Sequence, residues 1–157
     1  MILEKSPIGH RHGYATRTLS NLLSRAVGQR AIVDVNAPLA LTPDSEPLPD
    51  IMLLRMPFAL YRERLPRPAD VLLLIEVSQT ARSYLRGAKA RTYAEAGVPE
   101  FWVVDLVQEE VAAFREPQAD GFGYQEVLNR NARIAPAAFP DASIGVADFL
   151  EPTAPTR

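Results

Sequence analysis

The sequence predicts an α/β (α+β) domain built around a mixed β-sheet. Segments in which apolar residues recur at helical spacing alternate with short runs rich in branched residues, in the order helix, strands, helix, strands. The length of 157 residues suits one domain, and an apolar content of 47% is sufficient for a buried core. We therefore expect residues 1–157 to form a single domain.

The first half of the chain predicts one helix and three strands. Apolar residues recur at helical spacing over 12–27, and Gly28 follows as a helix stop. Residues 30–35 alternate and are rich in branched side chains, which is typical of a strand. Short apolar strands are predicted at 51–54 and 71–77, on either side of a connection rich in proline and arginine.

The second half predicts a helix followed by further strands. The segment 82–96 contains no proline, and Gly97 supplies a helix stop. Two runs with strand-like composition, 101–106 and 111–115, are joined by a short acidic connection and predict a hairpin. Residues 123–128 can add another strand, whereas the end of the chain has no clear pattern.

Composition excludes several classes of function. The chain contains no cysteine, which rules out disulfides, thiolate metal sites and a cysteine nucleophile and suits the reducing cytoplasm, where we expect the protein. The longest apolar run is far shorter than the ~20 residues that span a bilayer, and no signal peptide or membrane association is expected. The formal charge is -2, so any nucleic-acid contact must come from a local patch. Phosphate-loop, serine hydrolase and HExxH motifs are absent.

Two carboxylates stand out against the apolar strands. Glu76 interrupts the otherwise apolar strand at 71–77, and burying an unpaired charge is costly. If this strand pairs antiparallel with 51–54, Asp50 and Glu76 meet at one edge of the sheet. Two carboxylates at one site repel, and a hard cation such as Mg²⁺ or Mn²⁺ relieves that repulsion. The alternative is a structural ion pair between Glu76 and an arginine of the neighbouring connection or of the second helix.

Basic residues surround this acidic pair in sequence. Lys89 lies 13 residues after Glu76, and Tyr93 follows one helical turn later, so both side chains could reach one ligand. Cations near a metal suit nuclease chemistry, because they hold a phosphodiester while the metal activates water. A solvent-exposed helix face carries similar charge runs. The cations are Arg82, Arg86, Lys89 and Arg91 in the predicted helix, and Arg55, Arg62, Arg64 and Arg67 in the connection.

Two histidines near the first helix are further candidates. His10 and His12 lie in the sequence GHRHG, and imidazole suits transition metals. Alternatively, His12 packs beside the site or faces solvent. We group His12 with Arg82, Arg86 and Tyr93 as candidate substrate-binding residues.

Five separated blocks of the sequence, taken in order, carry a resemblance to a known family. The blocks are SPIGHRH at 6–12, PLAL at 38–41, EPLPD at 46–50, PADVLLLIEVS at 68–78 and GAKARTYAEAGVPEFWVVDL at 87–106. They are similar to the Uma-type (Uma two) restriction endonucleases of the PD-(D/E)XK nuclease superfamily, and the likeness extends over nearly the whole chain, including the later FP at 139–140.

This resemblance implies a restriction-endonuclease-like fold, with a mixed central sheet flanked by helices, and specific roles. Pro49 and Asp50 would be the PD of the motif and Glu76 its second acid, with the backbone carbonyl of Val77 completing the metal site. The superfamily's usual lysine is absent, because position 78 is serine. The resemblance implies that Lys89 takes its role, orienting or activating the attacking water and screening negative charge.

One departure from the family pattern leaves an alternative open. The family usually carries aspartate between a tyrosine and an arginine just before the lysine, but here Leu85 stands between Tyr84 and Arg86. The expected activity is a Mg²⁺-dependent DNA endonuclease with Asp50, Glu76 and Lys89 as catalytic residues. The main alternative is a catalytically impaired nuclease fold that binds DNA or protein, and a third is a phosphodiesterase acting on RNA or a small phosphate ester. By analogy, a homodimer is plausible, because cleavage of two strands often uses two sites.

Overall fold

A six-stranded sheet with one long helix on each face forms the molecule. The structure is a computed structural model that describes residues 9–80 and 83–152, with side chains described in 9–80 and 86–152. The helices are α1, His10–Val27, and α2, Ser83–Glu95. The strands are β1 Ala31–Val35, β2 Ile51–Arg55, β3 Val71–Ser78, β4 Glu100–Asp105, β5 Glu110–Gln118 and β6 Gly121–Asn129, followed by a separate pair, β7 Arg133–Ile134 and β8 Ile144–Gly145.

The large sheet is mixed, as the sequence predicts. Its strand order is β1-β2-β3-β4-β5-β6, and neighbours pair antiparallel except β3 and β4, which run parallel. Parallel neighbours need a crossover, and α2 provides it between β3 and β4. The beginning of α2 therefore follows directly from the end of β3, where Glu76 lies.

Helix α1 covers one face of the sheet. Its buried residues Ala15, Leu19, Leu23 and Val27 recur at helical spacing and pack in a core that includes Trp102. The helix ends where predicted, because Gly28 adopts φ 60° and its N–H bonds to the Ser24 carbonyl. Buried residues of the C-terminal segment, including Phe149, complete this core.

Helix α2 covers the opposite face. Ala90 and Tyr93 pack in a second core with Leu74 and Phe101, and Ala94 is buried as well. Burial on both faces explains the continuous apolar character of β3. Within the described ranges, no helix is both long and apolar enough to cross a membrane.

The segment between β1 and β2 forms an ordered loop alongside α2. Leu39 is fully buried, and its N–H donates to the Pro47 carbonyl at 2.9 Å. At the tip, the N–H of Leu41 donates to the Ser45 carbonyl at 3.1 Å, and Thr42 and Ser45 exchange two backbone hydrogen bonds of 3.2 Å. The tip, residues 41–47, is thus a closed turn held by its own backbone.

Candidate active site

The pairing of β2 with β3 brings two acids to one edge of the sheet. Ile51 lies opposite Ile75 in the antiparallel register, which confirms the predicted pairing. Asp50 directly precedes β2, and its Oδ2 accepts a 2.7 Å hydrogen bond from the Val77 N–H. Asp50 therefore lies beside the end of β3 that carries Glu76.

The backbone N–H and C=O groups of Val77 point toward Asp50, the residue just before β2. The N–H and C=O of one strand residue point to the same side of the strand. Since the Val77 N–H bonds to Asp50, the Val77 carbonyl faces Asp50 as well. The next residue faces the other neighbour, because the Ser78 carbonyl accepts from the Leu106 N–H at 2.9 Å.

Both oxygens of Glu76 are held by α2. Lys89 Nζ lies 2.5 Å from Oε1, and the Tyr93 hydroxyl donates to Oε2 at 2.8 Å. The two residues share a helix face, as their spacing of four predicts. Lys89 keeps 53% of its side chain exposed, whereas Tyr93 is buried. In the described residues the charged partner of Glu76 is thus a lysine rather than the arginine of the alternative interpretation.

Only one of the two histidines approaches the acids. His12 Nε2, in the first turn of α1, lies 3.2 Å from Asp50 Oδ1, and both side chains are largely buried. His12 therefore packs beside the site, which is one of the positions the sequence allowed. His10 is exposed and lies 3.4 Å from Glu151, so the two histidines diverge.

The electrostatics of the site reflect an excess of buried negative charge. Burial raises the pKa of Asp50, and the charge of Glu76 acts in the same direction, while the Val77 N–H and His12 oppose the increase. Burial and the charge of Glu76 also raise the pKa of Tyr93 far above its ordinary range. The Tyr93 phenol consequently stays protonated and serves as a hydrogen-bond donor.

The available donors fit a hard divalent cation. Asp50 and Glu76 supply carboxylate oxygens and Val77 a carbonyl oxygen, and such donors suit Mg²⁺ and Mn²⁺. Each carboxylate oxygen has two lone pairs, so the present hydrogen bonds leave acceptor capacity. No cluster of three or more acidic, histidine or cysteine side chains forms a ligand set in the described residues. A cation here would therefore keep water ligands, as Mg²⁺ usually does.

Arg86, a candidate substrate contact, is engaged in a buried ion pair. Its Nη2 lies 2.7 Å from Asp105 Oδ2, at the end of β4. Asp105 is 3% exposed, and its Oδ1 accepts the N–H groups of Val107 and Gln108. This ion pair links α2 to β4 one helical turn before Lys89. Arg82 and the Leu85 side chain lie outside the described residues.

Arg55 and Arg64, which precede Glu76 in sequence, lie far from it in the fold. Arg55 ends β2 opposite Ala31, and five residues of extended strand separate it from Asp50 by roughly 17 Å. Arg64 pairs with Asp70 at 2.7 Å, just before β3 begins. The expectation that two basic segments flank the acids is therefore wrong for this segment, because β2 carries it to the opposite end of the sheet.

Sequence reasoning missed a cavity beside the acids. It has a volume of about 210 Å³ and lies between the turn at 41–47 and α2. Lys89 and Tyr93 line it as well as contacting Glu76. The cavity joins segments more than 40 residues apart, so no local pattern in the sequence indicates it.

Comparison with known proteins identifies the family. A model of the Uma2 family, described as "Putative restriction endonuclease", matches residues 1–147. The chain belongs to the Uma2 family. This membership confirms the resemblance of the five sequence blocks and indicates a nuclease.

A solved structure supports the fold of this Uma2 protein. The chain is similar to a crystal structure of a "putative nuclease belonging to DUF820" from Anabaena variabilis, with a TM-score of 0.70 and 17% sequence identity. The similarity covers 94% of this chain and 84% of the other. No curated protein matches the chain.

Proposed function

We propose that this Uma2 protein is a divalent-metal-dependent endonuclease that hydrolyses phosphodiester bonds in DNA. The observation that carries the proposal is the convergence of Asp50, Glu76 and Lys89 at the adjoining ends of β2 and β3. Two acids and an amine at one sheet edge are the groups that metal-assisted phosphodiester hydrolysis requires. Family membership supports the nuclease class independently.

In the proposed mechanism, the two acids and one carbonyl form the metal site. Asp50, Glu76 and the Val77 carbonyl would hold Mg²⁺ or Mn²⁺. When bound, the ion would supply Lewis acidity and lower the pKa of water. His12 positions the Asp50 carboxylate, and Tyr93 positions that of Glu76.

Lys89 is the group that faces the substrate in this proposal. Its half-exposed ammonium carries three donors, only one of which is needed for Glu76. The other two can orient the attacking water and stabilise negative charge that develops on the phosphate. The Arg86–Asp105 ion pair keeps this part of α2 on the sheet, so the ammonium is held in place before substrate arrives.

One observation favours a second candidate, a binding module without catalysis. Both oxygens of each acid already have protein partners, namely Val77 and His12 for Asp50, and Lys89 and Tyr93 for Glu76. A degenerate site could retain these contacts purely for stability. The two candidates differ in whether purified protein breaks a phosphodiester bond.

Supercoiled plasmid provides the test. We expect nicking by the wild-type protein with Mg²⁺ or Mn²⁺, no nicking with EDTA, and at least about a hundredfold lower rate in Asp50→Asn and Glu76→Gln. Asp141→Asn is the matched control, because Asp141 is an exposed acid paired with Arg30, which directly precedes β1 at the end of the sheet opposite Asp50. A folded preparation that cleaves neither plasmid, single-stranded DNA nor RNA with either ion would support the binding module. RNA cleavage alone would instead support the phosphodiesterase alternative.

A further inference from the structure

The cavity beside Lys89 has the size and lining of a site for one small ring system. Its volume of about 210 Å³ is below the ~300 to 1,000 Å³ of sites for drug-sized molecules. Leu41 and Pro47 form one apolar wall, and Ala88 on α2 contributes to the other. Ser45 and Thr92 also line this space, and the Thr92 hydroxyl donates to the Ala88 carbonyl at 3.1 Å.

This combination suits a nucleobase, which has apolar faces and a polar edge. A base between the two walls would make face contacts with the apolar side chains, and its polar edge could bond to the Ser45 hydroxyl and donate to the Thr92 oxygen. Lys89 both lines the cavity and contacts Glu76, so a nucleotide whose base enters the cavity brings its own phosphate toward the acids. The inference thus rests on the proposed nuclease function and concerns whether its DNA substrate is paired or unpaired.

Both walls of the cavity belong to segments that are held by the fold. The turn at 41–47 is closed by backbone hydrogen bonds, and the buried Leu39 anchors it. The opposite wall belongs to α2, whose Ala90 and Tyr93 are buried against the sheet. A preformed slot avoids the entropic cost of ordering a loop around the base.

Charge in the described part of the molecule favours base contacts over phosphate contacts. Duplex binding without base contacts depends on many unpaired cations along the backbone. Here the net charge is -2, and several arginines are already paired with acids. These pairs are Arg30–Asp141, Arg64–Asp70, Arg86–Asp105, Arg115–Glu100 and Arg130–Glu109.

We infer that the cavity between the turn at 41–47 and α2 binds an unpaired nucleobase of the DNA strand to be cut. A base inside a duplex is stacked and paired, so it must be extruded before it can enter such a slot. The preferred substrate is therefore single-stranded or locally unpaired DNA rather than an intact duplex.

Oligonucleotides that lack one base test this inference. Fluorescence anisotropy with Ca²⁺ compares a labelled single strand, its duplex, and a set of single strands with one abasic site at each successive position. We expect the single strand to bind more tightly than the duplex, and one abasic position to weaken binding about tenfold. Ala88→Leu narrows the cavity from an exposed helix position and should abolish the difference between intact and abasic strands.

Gly87→Leu is the matched control for added bulk on α2. Gly87 does not line the cavity, and a Cβ added there meets no atom within 4 Å. This variant should retain the abasic effect. The inference is overturned if all abasic strands bind the wild type like the intact strand, if Ala88→Leu retains the difference, or if no DNA binds. If the protein nicks plasmid but its binding does not depend on a base, the proposed base site is wrong and the proposed nuclease activity stands. If binding depends on a base but no substrate is cleaved, only the proposed nuclease activity is wrong.

Discussion

Asp50 is held in a position that disfavours its own charge. Its carboxylate is 18% exposed and lies beside a second carboxylate, and the hydrogen bonds from Val77 and His12 do not fully offset these effects. A folded protein tolerates such a residue where function needs it, at some cost in stability. The raised pKa of Asp50 therefore supports a cation-binding role and also makes a thermodynamic prediction.

Asp50→Asn should stabilise the protein at neutral pH. The pKa of Asp50 in the folded state lies above its ordinary value of 3.8, so the contribution of this carboxyl group to the free energy of unfolding is greatest below that value and is lost as pH rises through the folded-state pKa. Asparagine does not ionise, so the variant does not lose this free energy of unfolding as pH rises. Thermal unfolding should show a higher Tm than wild type at pH 7 and a smaller difference near pH 3.

The control for this measurement is Asp141→Asn. Arg30 lowers the pKa of Asp141, so this carboxylate favours folding at neutral pH and its replacement should give no increase in Tm. An Asp50→Asn variant with a Tm below that of wild type at pH 7 would show that the hydrogen bonds of the carboxylate outweigh its burial.

Lys89→Met should separate catalysis from stability. Lys89 is 53% exposed, and methionine is also unbranched and similar in length, so we expect a small change in Tm. Loss of the ammonium should lower the rate of plasmid nicking by about a hundredfold or more. Arg91→Met, an exposed cation on the same helix, is the matched control and should keep its activity. Equal rates in the two variants would remove Lys89 from the proposed mechanism.

At the scale of secondary-structure elements, α2 links the sheet to the residues of the proposed active site. Its buried apolar surface is small, consisting of Ala90, Tyr93 and Ala94 in the described part of the helix. Polar contacts supplement this surface, because Arg86 reaches Asp105 on β4 while Lys89 and Tyr93 reach Glu76 on β3. The polar side chains of α2 thus bind to β3 and β4, the same two parallel strands that the helix connects.

Arg86→Ala should destabilise the protein by about 2 to 3 kcal/mol. Removing one partner of a buried ion pair leaves a buried charge, although two N–H groups still donate to Asp105. Urea unfolding measures the change. Arg30→Ala is the control, since its ion pair with Asp141 is exposed and should contribute little. Comparable midpoints for both variants would contradict a buried, structural role for Arg86.

At the scale of the whole molecule, positive and negative charges nearly balance. The chain has 17 lysines and arginines against 19 acids, and the described ion pairs are spread over both faces and both ends of the sheet. Such a surface exerts little long-range attraction on a polyanion. Nucleic-acid binding should therefore depend on contacts close to the site.

The salt dependence of DNA binding should be shallow. For a single strand, the slope of log K against log salt concentration is about -0.7 for each phosphate neutralised, and we expect a slope smaller in magnitude than about 3. Anisotropy titrations over a range of NaCl concentrations measure it. A slope near -7 would mean that about ten phosphates are contacted, which would indicate an extended basic surface instead.

Short-range sequence patterns were sufficient to predict most of the secondary structure and which residues make up the candidate site. The helical period of α1, the continuous apolar run of β3 and the spacing of Lys89 and Tyr93 are short-range patterns, because helix and strand geometry repeat every few residues. The need of Glu76 for a partner also followed from its apolar neighbours alone.

Tertiary structure decided which groups meet. The register of β2 against β3 brings Asp50 to Glu76 and carries Arg55 to the opposite end, and the crossover through α2 selects Lys89 as the partner of Glu76 and Asp105 as that of Arg86. The cavity depends on contact between the turn at 41–47 and α2. These contacts join residues distant in sequence, and their geometry is set by strand register and helix packing, which leave no short-range pattern in the chain.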